Sequence, residues 1–350
     1  MEANGCEAGM DRRDRDEIAA AYRRFAEEEA RGRSALYEAL ARGVADDPAA
    51  IGFLLTLPRG KRQPNLLFAA FRLLFGTPAG WDAFRCGVLE RQDALRAAML
   101  AHAMQTNEPG RCAVLLPGLA RLPGPLALIE VGASAGLCLL PDHYGYDYGG
   151  GRILRPEAGR QDAGRLGAAP PPVFPCAVDA ATPVPAALPR IAWRAGLDLD
   201  PLDLGDPGRV AWLEALVWPE QAERLARLRA AVAIAAAARP RVVRGDLRRD
   251  LTALVREAPR GVPRASCSTR RCWATSRRTR RGMNSRGRCG RCATSGSRTS
   301  PRACSPTSRR AGGEGPRGRF LLAVDGVPVG WADPHGAALD WIGDPPGLLR

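Results

Sequence analysis

The short apolar run Leu126–Val131 constrains this chain more than any other stretch, because it follows Pro123-Gly124-Pro125 and ends in the small-residue turn Gly132-Ala133-Ser134-Ala135-Gly136. A brief continuous apolar segment bounded by turn formers predicts a strand buried on both faces in a parallel sheet. Further strands are expected at 191–199 and 241–245, with a strand pair over 320–332 about the Asp325-Gly326 turn. Between them, residues 210–238 read as strongly helical. Strands alternating with helices predict an α/β sheet with crossover connections. Ahead of the first strand, residues 17–45 show apolar positions at helical spacing (Ile18, Tyr22, Phe25, then Leu36, Tyr37, Leu40), and residues 65–75 are too apolar for a surface helix and should lie in a core. The expected organisation is a helical cap over residues 1–120 and an α/β core over 121–262 with an insertion at about 141–190. An irregular stretch over 263–318 follows, and residues 319–350 complete the core. The insertion is Pro- and Gly-rich, and its Tyr144-Gly145-Tyr146-Asp147-Tyr148 opening suggests a surface hairpin.

Charge is concentrated in one place. The chain has 51 basic and 37 acidic side chains, but residues 264–310 hold 14 Arg and no Lys, Asp or Glu, so the remainder is balanced at 37 against 37. A polyanion-binding reading therefore stands or falls with that segment, where only nonspecific, salt-dependent attraction is expected. Five of the ten cysteines also fall there, at Cys267, Cys272, Cys289, Cys292 and Cys304. Their spacing supplies no four-ligand zinc set, so no metal is expected. The first twenty residues are charged and carry no apolar targeting stretch, Met10 is an alternative start, and no apolar run reaches membrane-spanning length. A cytoplasmic protein with no membrane partner is expected.

The arginine-rich stretch, about 265–310, reads as translation in the wrong frame. Lys61 is the only lysine beside 50 arginines, which implies GC-rich codons and few stops in any frame. If each true codon takes the last base of one codon and the first two of the next, Ser266-Cys267-Ser268 becomes three apolar residues and Cys272-Trp273 another apolar pair. The shifted frame then reads as a buried-strand pattern carrying a His, followed by a strand-and-turn pattern, with the frame restored between Arg310 and Arg319. As written, two central strands are expected to be lost and the product to be poorly folded and inactive.

Three acids and a glycine-rich turn carry the candidate chemistry. In Glu130-Val131-Gly132-Ala133-Ser134-Ala135-Gly136, an acidic residue near a strand end precedes a turn small enough for backbone to approach a nucleotide-like ligand. A following helix would point its N-terminus into the site. Asp198 ends the second strand and Asp246, with Leu247, follows the third; Asp200 and Asp203 compete with Asp198. Either acid is equally readable as a helix cap or turn residue. Gln105-Thr106-Asn107-Glu108-Pro109-Gly110-Arg111 is unusually polar between apolar flanks; Gln105, Asn107, Glu108 and Arg111 either line a pocket mouth or form a capped turn. His335, in Asp333-Pro334-His335-Gly336, is a candidate base or a satisfied turn histidine. His102 reads as capping or lining a helix and His143 as a surface residue, and no Ser-His-Asp arrangement can be assembled.

The acid-x-Gly-x-Ser-x-Gly spacing resembles the first motif of class I S-adenosylmethionine-dependent methyltransferases, with Ser134 standing at the middle glycine. The segments QTNEPGRC, LALIEVGASAGLCLL, RAGLDLDPLD, ALVWPEQAERL, RGDL and DPHGAALDWI resemble the bacterial domain-of-unknown-function family twenty-three thirty-two over nearly all of the chain outside 265–310, with Cys138 where Asn is usual. The resemblance implies a Rossmann-like, methyltransferase-type sheet holding S-adenosylmethionine against Glu130, Gly132, Ser134, Gly136, Asp198, Asp246 and Leu247. In that family Asp198 would meet the ribose hydroxyls, and Asp246 with its neighbour the adenine. The implied function is methyl transfer to an unidentified acceptor, with no catalytic residue assigned. The alternatives are a non-catalytic binding or scaffold protein of the same fold, and a dehydrogenase.

Overall fold

The structure, a computed structural model, describes residues 3–105, 107–157, 170–268, 273–277, 316, 318–324 and 327–343. The chain is mixed α/β with a helical N-terminus, and it divides into two compact units, Met1–Gln105 with Asp206–Ala226 and Thr106–Gly205 with Arg227–Arg350. No described helix is long and apolar enough to cross a membrane.

The first unit contains α1 (Ala3–Arg24), α2 (Ala35–Asp46), α3 (Pro48–Leu55), α4 (Pro64–Phe75), α5 (Trp81–Glu90) and α6 (Gln92–Ala101). After α7 (Arg111–Leu119), which belongs to the second unit, α8 (Pro207–Ala215) completes it. The starts of these helices are written in the sequence. Ser34 accepts from the Tyr37 amide, Asp47 from the Ala49 and Ala50 amides, and Asp206 from the Gly208 and Arg209 amides, with Pro48 and Pro207 at the first helical turn. As expected for 65–75, α4 sits in the core: every residue from Leu66 to Phe71 is buried. Phe68 packs against Tyr37 at 4.8 Å between ring centres, Phe84 at 5.5 Å, Phe25 at 5.9 Å and Tyr22 at 6.2 Å. Arg72 donates to the Ala215 and Val217 carbonyls, satisfying acceptors left open at the end of α8. His102 caps α6 and stacks on Trp212 at 4.3 Å. The helical stretch 210–238 is two helices rather than one, α8 and α9 (Ala222–Ala238), because Trp218-Pro219 interrupts it and proline cannot continue the backbone ladder.

The second unit is built on a nine-stranded sheet. Its strands are β1 (Leu126–Val131), β5 (Ala177–Val178), β6 (Ile191–Asp198), β7 (Val242–Arg244), β8 (Arg264–Ser268), β9 (Trp273–Arg277), β10 (Phe320–Val324), β11 (Val327–Ala332) and β12 (Ala338–Trp341). A separate three-stranded sheet holds β2 (Gly145–Asp147), β3 (Ile153–Leu154) and β4 (Val173–Pro175). The large sheet runs β5-β12-β11-β10-β9-β8-β1-β6-β7, with β7, β6, β1 and β8 mutually parallel neighbours. β1 is interior and Leu126–Ile129 are almost fully buried, as a continuous apolar run requires. The short helix α10 (Leu251–Glu257) covers part of the sheet, where Leu254 packs with Ile129, Ala195 and Leu197.

Four expectations need correction. The glycine-rich turn is followed by 3-10 turns at Leu137–Leu139 and Pro141–His143 and then by β2, so the α-helix expected directly after the loop is not there. The tyrosine hairpin exists, but Tyr144, Tyr146 and Tyr148 are buried; their hydroxyls donate to the carbonyls of Leu137, Pro141 and Ala113 at 2.9, 2.7 and 2.7 Å, which is what makes burial tolerable. His143 is buried as well, 3.9 Å from the enclosed Asp142 carboxylate, itself gripped through both oxygens by Arg194. Finally, the start of the arginine-rich stretch is not lost to the sheet. Its backbone forms β8 alongside β1 and then β9 antiparallel to β8, with Ala265 buried. The second edge of β1 needs a ladder partner whatever the side chains, and residues 264–268 contain neither Gly nor Pro to prevent it. The Asp325-Gly326 turn and most of 269–315 lie outside the described residues.

Candidate functional site

The loop after β1 takes its shape from three left-handed residues. Gly132, Ser134 and Gly136 have φ of 76°, 49° and 72°. Two of the three are glycine, for which such angles carry no penalty, and Ser134 pays a steric penalty that its bonding offsets. All three polar groups of Ser134 are engaged: its amide donates to Asp198 Oδ2 at 2.8 Å, its hydroxyl accepts from Asn107 Nδ2 at 2.8 Å, and its carbonyl accepts from the Leu202 amide at 3.1 Å. Asn107 grips the next residue too, its Oδ1 accepting from the Ala135 amide at 3.0 Å. The sequence singled out Asn107, Ser134 and Asp198 separately, and the fold brings them into one bonded set.

The remaining loop amides are also occupied. Gly132 and Ala133 donate to the Leu197 carbonyl at 2.8 and 3.4 Å, and Gly136 to the Ala133 carbonyl at 2.7 Å. Gly196 on β6 makes room for this: a Cβ there would meet Ala133 Cβ at 2.5 Å. Gly136 lies against Pro240 and Val242, which a Cβ would meet at 3.1 and 3.0 Å, so its smallness serves packing as well as backbone angle. Asp198 Oδ1 accepts from the Asp200 amide at 2.9 Å and the Asp198 carbonyl from the Gly245 amide at 2.8 Å, tying the ends of β6 and β7 together. Asp246 accepts from the Arg248 amide at 2.8 Å and donates its own amide to Asp250, the geometry of a helix-entry turn. Asp203 accepts from the Gly205 amide in a local turn, and Asp200 pairs with Arg244 at 2.7 Å. Leu199 and Leu247, the residues that follow Asp198 and Asp246, are exposed at 67% and 53%. Sequence reasoning named Leu247 and missed Leu199, whose signal is an apolar residue directly after a strand-ending acid.

A second contact set joins residues 107–111 to the Asp333–Gly336 turn. Glu108, buried, accepts from the Gly110 amide at 3.1 Å through Oε1, and its Oε2 lies 3.6 Å from His335 Nδ1. Arg111, also buried, donates Nε to the Pro334 carbonyl at 2.7 Å. The two turns are pressed backbone to backbone: a Cβ on Gly336, at φ 82°, would collide with the Gly110 carbonyl. Beneath them the Cys138 thiol donates to the Glu108 carbonyl at 3.4 Å; a hydrogen bond with the Cys112 thiol and then burial push it well above the ordinary thiol range, so it stays protonated and unreactive. Glu130 is buried near the end of β1, while Gln105 is half-buried at the end of the first unit and is not brought into either set. Among the described residues no three His, Cys, Asp or Glu gather as a metal-holding group.

A family model described as an uncharacterized protein conserved in bacteria, DUF2332, matches residues 19–341. The chain belongs to the DUF2332 family. No curated protein and no solved structure matches it. For this DUF2332 member the match spans both contact sets, from Asn107 to His335, and includes the segment that contains β8 and β9.

Proposed function

We propose that this DUF2332 protein is a methyltransferase-like protein that takes S-adenosylmethionine at the carboxyl ends of β1, β6 and β7. The observation that carries the reading is the parallel order β7-β6-β1-β8. The chain leaves β1 toward β6 on one side and later returns to β8 on the other, which makes a topological switch point at β1, where open α/β sheets take their ligands. The loop at that point has small side chains, Asp198 stands beside it, and the exposed Leu199 and Leu247 offer apolar area to an adenine ring. The donor inventory narrows the ligand further. All five amides of residues 132–136 donate inside the protein and only a three-residue 3-10 turn, not an α-helix, begins there, so the loop lacks what a pyrophosphate needs. That disfavours a dinucleotide and a dehydrogenase; an adenosyl group carrying a sulfonium and no phosphate makes no such demand. Such a cofactor supplies an activated methyl group, and this chain's residues would hold donor and acceptor in line.

One observation favours a second reading, a non-catalytic scaffold: both Asp198 carboxylate oxygens accept backbone amides, so that acid already has a structural task. Calorimetric titration of the full chain with S-adenosylmethionine, S-adenosylhomocysteine and NAD separates the readings. Binding of the first two and not the third is expected; absence of all three removes the enzyme reading. We also read residues from about 265 to 310 as out of frame on the composition argument above, with a protein inactive as written. The titration is therefore run on the chain with and without the in-frame replacement, and sequencing the underlying DNA across the window decides the frame.

A further inference from the structure

We propose that His335, oriented by Glu108, is the proton acceptor of this site. This rests on the methyltransferase reading and assigns it the base that no motif identified. The imidazole is 44% exposed, and its Nδ1 faces a carboxylate that is 6% exposed, an acid placed to orient one ring nitrogen. The backbone that presents this histidine is fixed from three directions. Its amide donates to Asp333 Oδ1 at 2.8 Å, its carbonyl lies against Gly110, and Pro334 before it is held by Arg111. Among the described residues, Glu108, Arg111 and Asp333 are the charged side chains of the two segments 107–111 and 333–336 that meet here. The segment that presents Glu108 also presents Asn107, which grips Ser134 and Ala135, so the loop at the switch point and the imidazole are positioned by adjacent residues. The Nδ1 to Oε2 separation of 3.6 Å is longer than a hydrogen bond, as is common for catalytic pairs before substrate tightens them.

In the step this implies, a lone pair of the acceptor atom forms the bond to the methyl carbon. The carbon–sulfur bond breaks with its electron pair remaining on sulfur, and the acceptor's proton passes to His335 Nε2. The resulting imidazolium faces the Glu108 carboxylate. Glu108 is a positioning residue.

The chain has three histidines, so long-range proton–nitrogen correlation spectra of histidine-labelled protein contain three imidazole patterns. The expected pattern for His335 has the proton on Nδ1 and a bare Nε2, and Glu108→Gln reverts it to the Nε2-protonated form while the His102 and His143 patterns, which report folding, stay in place. A wild-type His335 protonated at Nε2 overturns the proposal. With any acceptor that supports S-adenosylhomocysteine release, His335→Gln lowers kcat about 100-fold without changing the S-adenosylmethionine KM; an unchanged kcat also overturns it. Failure of wild-type protein to bind S-adenosylmethionine would instead overturn the reading beneath the proposal, and is distinguishable because the tautomer is measured without ligand.

Discussion

Ser134 shows how a single residue can be strained and well placed at once. A non-glycine residue in the left-handed region costs roughly 1–2 kcal/mol, yet its hydroxyl holds Asn107 and its amide holds Asp198. The two effects can be separated. Ser134→Ala keeps the strain and deprives Asn107 of its acceptor, with an expected destabilisation of about 1–3 kcal/mol. Ser134→Gly loses the same acceptor and relieves the strain, so its urea midpoint should lie above that of Ser134→Ala. The reverse order would mean that the serine backbone is relaxed in solution. This also shows why the site was only partly legible in the sequence. The acid and the small residues stood at recognisable spacing, but which groups satisfy the loop amides depends on Asn107 and Leu197, which approach from other segments and leave no local signature.

At the scale of elements, two contacts decide how the helices of the first unit pack. Gly43 on α2 accepts the face of the Trp81 indole on α5, and a Cβ there would fall inside the ring. Gly43→Ala should therefore cost roughly 1–3 kcal/mol by overpacking, although alanine is the better helix former. Phe68→Ala, which removes the ring touched by four aromatic neighbours, should cost about 3–5 kcal/mol. Thermal unfolding followed by circular dichroism ranks the two. A Gly43→Ala protein as stable as wild type would show that α2 and α5 adjust at that crossing. Elements with a clear period were readable: β1, β6, β7, α4 and the β10–β11 pair fall where apolar patterning put them. Elements specified by partners were not. β8 and β9 lack apolar patterning and are in the sheet because β1 and β10 have edges to pair, and the buried hairpin at Tyr144–Tyr148 looked like surface because the carbonyls that take its hydroxyls, at Leu137, Pro141 and Ala113, leave no pattern in the sequence.

For the whole molecule, buried phenols make alkaline pH the revealing variable. Burial raises the hydroxyls of Tyr22, Tyr144 and Tyr146 well above their ordinary range and pushes Tyr37 up to about 12. An unfolded chain ionises its tyrosines near 10, so the folded state binds the more protons above that value. Their contribution is intact below about pH 10 and is lost as pH rises through about 12. Tyrosinate absorbance and loss of helical ellipticity should then rise together in one alkaline transition. Phenol ionisation complete before any loss of ellipticity would show that these rings are accessible in the folded protein.

The pairing of β5 with β12 has a consequence for how the molecule comes into being. Ala177 and Val178 meet their ladder partners only at Ala338 and Leu339, so one rim of the large sheet waits for a segment about 160 residues further along to leave the ribosome. At 5–20 residues per second that interval is roughly ten to thirty seconds. During it the nascent sheet has an uncovered margin, and any chain cut short before β12 would keep that margin for life.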